Sequence, residues 1–133
     1  MKFFIEQVIL IIKMKPQNGT TKIIAMIFSK QFTDKEKIQL LQRSILVNSY
    51  AYYELNENIL SDYQYDANTR QLLELRDSSP EAYKKSKYYR YFDNFESGTG
   101  FDLTGRLRKN RKLYEKVARD AHLALRLKRN SRS

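Results

Sequence analysis

Residues 50–66 read Tyr-Ala-Tyr-Tyr-Glu-Leu-Asn-Glu-Asn-Ile-Leu-Ser-Asp-Tyr-Gln-Tyr-Asp. The polar and Asn-rich segment 56–60 at the centre of this stretch is poorly suited to continuing a helix. It therefore predicts the end of one helix, a turn of about five residues, and a second helix that packs back on the first. The stretch contains five tyrosines and two aspartates, a composition more typical of a binding surface than of a core.

The helix on each side of this turn has its own start signal. Thr33-Asp34-Lys35-Glu36 is a capping-box sequence, and Ser61 followed by Gln64 is a second one. After the first capping box, apolar residues recur at spacings of three and four, which is typical of a helix with one buried face. We therefore predict a first helix over about 34–56 and a second that begins after Ser61. The predicted fold class is mainly α, with a helical hairpin over residues 33–78.

Residues 1–32 form an apolar N-terminal extension. Its apolar run is too short to span a bilayer, which takes about 20 apolar residues. Asn18-Gly19 supplies the positive φ angles of a tight turn, so we predict a β-hairpin that pairs Val8–Met14 with Thr21–Phe28. A competing interpretation is that the natural chain starts at an internal methionine, Met14 or Met26.

Residues 79–105 form a connector in which aromatic and basic residues alternate before a Gly-containing segment. The aromatic rings can stack on bases while the cations neutralise phosphates of a single-stranded nucleic acid. The same side chains can instead cover a core. The glycines can present backbone amides to a phosphate, or they can form a plain turn before a helix that Asp102 or Thr104 caps. The core and plain-turn interpretations are favoured.

Most of the positive charge lies in residues 106–133. The chain has a formal net charge of +10, and residues 106–132 account for nearly all of it. Such a segment attracts polyanions because it releases their counterions, although an ordinary solvated helix face has the same pattern. We predict a basic C-terminal helix over about 107–127 that binds nucleic acid or an acidic protein. Its candidate nucleic-acid contacts are Arg108, Lys112, Lys116, Arg119 and Arg126.

Cysteine is absent, and His122 is the one histidine of the chain. Disulfides, thiol nucleophiles and histidine-rich metal sites are therefore excluded, and we predict no bound metal. The lack of cysteine fits a reducing compartment, so we expect a cytoplasmic protein. His122 falls on the predicted basic helix, where we expect its side chain to be exposed.

Polar and aromatic residues converge on the turn from both predicted helices. Asp62, Tyr65 and Asp66 share one face of the second helix. The end of the first helix brings three tyrosines towards that face, namely Tyr50, Tyr52 and Tyr53. Such a site suits oxidised nicotinamide, because tyrosine faces attract a flat cationic ring and carboxylates accept hydrogen bonds from its amide and hydroxyls. Asp62 also has a purely structural explanation, since a carboxylate at a helix N-terminus is stabilised by the helix dipole.

This pattern resembles the N-terminal Ia domain of NAD-dependent DNA ligases, a helical hairpin that binds the nicotinamide mononucleotide (NMN) half of NAD. The family reads Tyr-x-Tyr-Tyr or Tyr-x-Tyr-His, then a short loop, then Asp-x-x-Tyr-Asp. Here these motifs are Tyr50-Ala51-Tyr52-Tyr53 and Asp62-Tyr63-Gln64-Tyr65-Asp66. The resemblance covers roughly residues 38–75 and implies NAD or NMN as a bound cofactor. It implies that Tyr52 and Tyr53 contact the nicotinamide ring and that the remaining NMN contacts are Asp62, Tyr65 and Asp66.

Other parts of a ligase have no counterpart in this sequence. The adenylation domain of a ligase carries a Lys-x-Asp-Gly nucleophile motif, and this tetrapeptide does not occur here. We therefore expect a non-catalytic NMN- or NAD-binding module, similar to short phage-encoded proteins that carry a ligase-like hairpin alone. One alternative is a nucleic-acid-binding accessory protein that uses the basic helix. Another is a subunit that completes NAD recognition for a larger ligase in trans.

Overall fold

A computed structural model of the chain describes residues 32–96 and 100–131. These residues contain helices and no strand, which confirms the prediction of a mainly α fold. In chain order the helices are α1 Asp34–Leu55, α2 Asp62–Ser78, α3 Pro80–Lys84, α4 Tyr89–Phe92, α5 Gly100–Leu107 and α6 Arg111–Ser131. The β-hairpin predicted for Val8–Met14 and Thr21–Phe28 lies outside the described residues.

Helix α1 begins at the predicted capping box. The Thr33 hydroxyl accepts a hydrogen bond from the Glu36 amide at 3.2 Å, and the Glu36 carboxylate accepts one from the Thr33 amide at 3.0 Å. The bond from the Thr33 amide holds the pKa of Glu36 below its ordinary value. The helix ends where Asn56 adopts a left-handed φ of 54°. Asparagine enters this conformation more readily than most residues, so it serves as a helix stop.

Helix α2 returns antiparallel to α1. It begins at the second predicted capping box, in which Ser61 and Gln64 accept from each other's backbone amides at 3.2 and 3.0 Å. Ser44 on α1 accepts from Asn68 on α2 at 3.2 Å, while Ser49 on α1 lies 3.3 Å from the Tyr65 hydroxyl. The later residue of α1 thus contacts the earlier residue of α2, which shows that the two helices are antiparallel. The predicted hairpin is therefore present.

The aromatic residues of the connector belong to the core, as the favoured interpretation predicts. Five of their rings are buried, namely those of Tyr83, Tyr88, Tyr91, Phe92 and Phe95. The Tyr83 hydroxyl donates to the carbonyl of Phe92 at 2.6 Å, and burial raises the pKa of Tyr83 to about 12. The basic side chains between them, including Lys84, Lys85 and Lys87, are exposed. These aromatic rings fill the space beside the hairpin and are not available to stack on bases.

The C-terminal part differs from the sequence prediction. Helix α5 spans Gly100–Leu107, so Asp102 and Thr104 lie within it instead of capping it from outside. Leu107 is the end of α5, and the basic helix α6 begins later than predicted, at Arg111. The carboxamide oxygen of Asn110 accepts from the Leu113 amide at 3.2 Å and so caps α6.

Helix α6 packs along α1 through a stripe of small and apolar residues. Its buried positions are Val117, Ala121, Ala124 and Leu125. A polar contact joins the two helices as well, because Arg43 on α1 donates to the Asp120 carboxylate at 2.7 Å. None of the helices in the described part of the chain is long and apolar enough to cross a bilayer.

Candidate functional site

A cavity of about 180 Å³ lies where the hairpin turns. The end of α1, the turn and the start of α2 together line it with Asn48, Ser49, Tyr52, Tyr53, Asn58, Ile59, Leu60, Asp62 and Tyr65. Four of the five cofactor contacts predicted from the ligase resemblance are among these residues. The fifth, Asp66, is exposed one turn further along α2 and does not line the cavity.

Two tyrosine rings stand at the edge of the cavity with much of their surface in water. Tyr52 is 52% exposed and Tyr53 is 42% exposed. Their ring centroids are 4.8 Å apart and the rings meet edge to face at 81°. Large aromatic side chains that remain exposed side by side are typical of a binding surface, because they gain little for the fold.

Tyr65 places a hydroxyl group in the cavity wall. The hydroxyl lies 3.3 Å from the Ser49 hydroxyl, and either group can donate. Burial raises the pKa of Tyr65 above its ordinary value, although the bond to Ser49 acts in the opposite direction. The Tyr65 hydroxyl is therefore protonated and neutral at physiological pH.

Asn48 fixes the turn against α1. Its carboxamide oxygen accepts from the Leu60 amide at 3.1 Å, and its amide nitrogen donates to the carbonyl of Ser44 at 2.7 Å. Ile59 and Leu60 are buried beside Asn48 and form an apolar part of the cavity wall. Because these contacts hold the turn in place, the cavity is formed by the fold itself.

The sequence reasoning missed five residues that line the cavity, namely Asn48, Ser49, Asn58, Ile59 and Leu60. Asn48 and Ser49 precede Tyr52 and Tyr53 by four positions, so helical spacing was a signal that could have identified them. The turn residues carry no comparable signal, because the path of the turn depends on the conformation of Asn56.

Tyr50 does not belong to this site, which corrects the sequence prediction. It is a buried residue, and its ring packs edge to face on Tyr114 of α6 with centroids 5.4 Å apart. Two positions along a helix correspond to a rotation of about 200°, so Tyr50 and Tyr52 point to different sides of α1. The ring of His122 lies 6.3 Å from that of Tyr50, and His122 is exposed as expected.

Four of the predicted nucleic-acid contacts form one surface, here called the basic face, composed of Lys112, Lys116, Arg119 and Arg126. All four are exposed and fall within an arc of about 80° on α6. The buried stripe of α6 occupies the opposite side. The fifth predicted contact, Arg108, is not on α6: it follows α5 and forms an ion pair with Glu54. The hydrogen bond that Arg108 donates to Glu54 raises the pKa of Arg108.

The described residues thus define a helical-hairpin module with an aromatic and acidic cavity at its turn. A segment of 47 residues is 43% identical to a DNA ligase of Thermoanaerobacter sp. (strain X514) and, equally, to one of Thermoanaerobacter pseudethanolicus. The segment makes up 35% of this chain and 7% of each ligase, so the chain spans a small part of the length of these relatives. No family model and no solved structure matches the chain. The chain is therefore similar to DNA ligases over one segment.

Proposed function

We propose that this chain is a non-catalytic module that binds a nicotinamide nucleotide, NMN or NAD, at the turn of its hairpin. The observation that carries the proposal is the grouping of two exposed tyrosine rings, the Asp62 carboxylate and the Tyr65 hydroxyl around one cavity. The partial similarity to DNA ligases supports a ligase-related role.

The cavity offers a suitable partner for each part of the nicotinamide group. Tyr52 and Tyr53 present ring faces that attract the positively charged pyridinium. Asp62 accepts hydrogen bonds from an amide or a ribose hydroxyl, while the Asn58 carboxamide can both donate and accept. A mostly apolar wall with a few polar groups is the usual construction of a small-molecule site.

Calorimetric titration with NMN tests this proposal. We expect the wild-type chain to bind NMN and Asp62→Asn to bind it about tenfold more weakly, because a hydrogen bond to a charged group contributes roughly 1.5 kcal/mol or more. Asp66→Asn is the matched control: it removes the same charge from the same helix, outside the cavity lining, and should weaken binding less. Absence of heat from the wild-type chain at millimolar NMN would contradict the proposal.

The basic face favours nucleic acid as a second candidate ligand. Within residues 32–96 and 100–131, none of its four cations forms an ion pair. By contrast, Arg111 and Arg129 on the same helix are paired with Glu115 and Glu57. Unpaired cations that share one side of a helix can neutralise successive phosphates. We propose that this surface docks a DNA or RNA backbone.

Fluorescence anisotropy with labelled DNA at several salt concentrations tests the second candidate. The double variant Lys116→Gln/Arg119→Gln should reduce the slope of log affinity against log salt by about 2, since each phosphate contact contributes about 0.9. Arg111→Gln/Arg129→Gln removes the same number of charges from paired positions and should change the slope less. Binding that does not depend on salt, or equal effects of the two variants, would count against the basic face.

A further inference from the structure

A second cavity adjoins the first and shares Tyr53 with it. It has a volume of about 440 Å³ and lies between the end of α1, helix α5 and the residues that follow α5. We call it the basic groove. The lining residues that bear on its chemistry are Glu54, Asp102, Gly105, Arg106, Arg108 and Lys109.

Positive charge exceeds negative charge in the basic groove. Of its two carboxylates, Glu54 is already paired with Arg108. A guanidinium has five N–H donors, so Arg108 keeps donors for a second acceptor. Lys109 is exposed and forms no ion pair within the described part of the chain. The groove therefore presents Arg108 and Lys109 to an anion. Of its two carboxylates, Asp102 is the one that forms no ion pair within the described residues, and the third lining cation, Arg106, is paired with Asp93.

The aromatic cavity is smaller than a typical ligand pocket, so a ligand bound there needs further space. Pockets that enclose a small-molecule ligand usually measure roughly 300–1,000 Å³, and the aromatic cavity, at about 180 Å³, is smaller than that. It can hold a nicotinamide ring but not a complete nucleotide. The remainder of the ligand must extend outside it, and the basic groove is the neighbouring cavity across Tyr53.

We infer that the basic groove is a phosphate subsite of the ligand site, in which Lys109 and Arg108 bind the phosphate of a nucleotide whose ring lies against Tyr53. This inference rests on the proposed function and extends it, because it makes phosphorylated nucleotides the ligand class. Arginine and lysine are the side chains that proteins use for phosphate groups. The turn after α5 supplies both cations, and that turn lies outside the hairpin that carries the aromatic cavity.

The first arm of the test compares three ligands by calorimetry: nicotinamide riboside, NMN and NAD. The riboside has the same cationic ring and ribose as NMN but lacks the phosphate. We expect NMN to bind at least about tenfold more tightly than the riboside, because the riboside lacks the charge-assisted hydrogen bonds to the phosphate. NMN binding more tightly than NAD would indicate that the subsite prefers a terminal phosphate, whereas tighter NAD binding would include contacts of its second phosphate and adenosine. Both orders support the subsite.

The second arm changes the groove without disturbing the fold. A side chain at Gly105 would meet no other atom within 4 Å of its Cβ, so glutamate and glutamine are both accommodated there. We expect Gly105→Glu to bind NMN about tenfold more weakly than the matched Gly105→Gln, because the added carboxylate repels a phosphate. Lys109→Gln should weaken NMN binding similarly. Neither Gly105→Glu nor Lys109→Gln should weaken riboside binding, and melting temperatures show whether each variant is folded.

The outcomes separate the failure of the subsite from the failure of the proposed function. If the riboside and NMN bind equally well, and the groove variants bind NMN like the wild-type chain, the phosphate subsite is overturned while the aromatic cavity stands. If none of the three ligands binds at millimolar concentration, both are overturned.

Discussion

Replacing Phe92 by alanine is expected to lower the free energy of unfolding by about 3–5 kcal/mol, the usual cost of removing a fully buried phenylalanine. Phe92 lies on α4 and is 0% exposed. Its ring meets that of Phe95 edge to face with centroids 5.1 Å apart. The substitution would leave a cavity among the buried rings of the connector.

Urea unfolding followed by circular dichroism measures this effect. Tyr63→Ala is the control, because it removes another aromatic ring from a side chain that is 70% exposed on α2. We expect its effect to lie within about 0.5 kcal/mol of zero, as for most surface substitutions. If Phe92→Ala were as mild as Tyr63→Ala, the connector would not be part of the core, and stacking on nucleic acid would again be a reasonable role for its rings.

Replacing Asp120 by alanine is expected to cost about 3 kcal/mol of stability, because it leaves a buried cation without its carboxylate. Arg43 is 3% exposed and donates to Asp120 at 2.7 Å and to the Tyr88 hydroxyl at 2.8 Å. Loss of one partner from a buried pair is costly since the remaining charge stays away from water. Urea unfolding of the variant gives the change directly.

Two further variants test whether the loss of stability comes from breaking the buried Arg43–Asp120 pair. Arg43→Met combined with Asp120→Ala removes both charges, and it should recover part of the lost stability because an apolar chain replaces the unpaired cation. Arg111→Ala breaks the exposed Arg111–Glu115 pair on the same helix, which should change stability by less than about 1 kcal/mol. An Asp120→Ala variant as stable as Arg111→Ala would show that the pair does not hold α6 on α1.

The packing of Phe92 and the Arg43–Asp120 ion pair connect the stability of the fold to the geometry of the ligand site. The Arg43–Asp120 pair fixes α6 on α1, and α1 provides four of the nine residues that line the aromatic cavity. The buried aromatic residues of the connector pack beside the hairpin and precede α5, which lines the basic groove. A loosened core is therefore expected to displace the basic groove relative to the cavity.

The helix starts could be predicted because their signals are local. A capping box uses residues three positions apart, so Thr33 with Glu36 and Ser61 with Gln64 can be recognised without any tertiary contact. The break between α5 and α6 could not be predicted in this way. Leu107 and Tyr114 are two helical turns apart, so the apolar pattern continues across the break as it would in one helix.

Residues whose roles depend on distant partners were predicted least well. Tyr50 lies in the same tyrosine-rich motif as Tyr52, and its burial is decided by its packing on Tyr114. Asp66 shares a helix face with Asp62, but periodicity does not tell which of two stacked residues reaches a cavity at the end of the helix. Arg43 pairs with a carboxylate 77 residues away, which no local pattern reveals.

A titration of the isotope-labelled chain with NMN, followed by amide chemical shifts, tests most directly whether the hairpin cavity is the ligand site. We predict that the largest shift changes occur at the amides of Asn48, Tyr53, Leu60 and Asp62, which surround the cavity. Changes confined to the basic face of α6, or none at millimolar NMN, would contradict nucleotide binding by the hairpin.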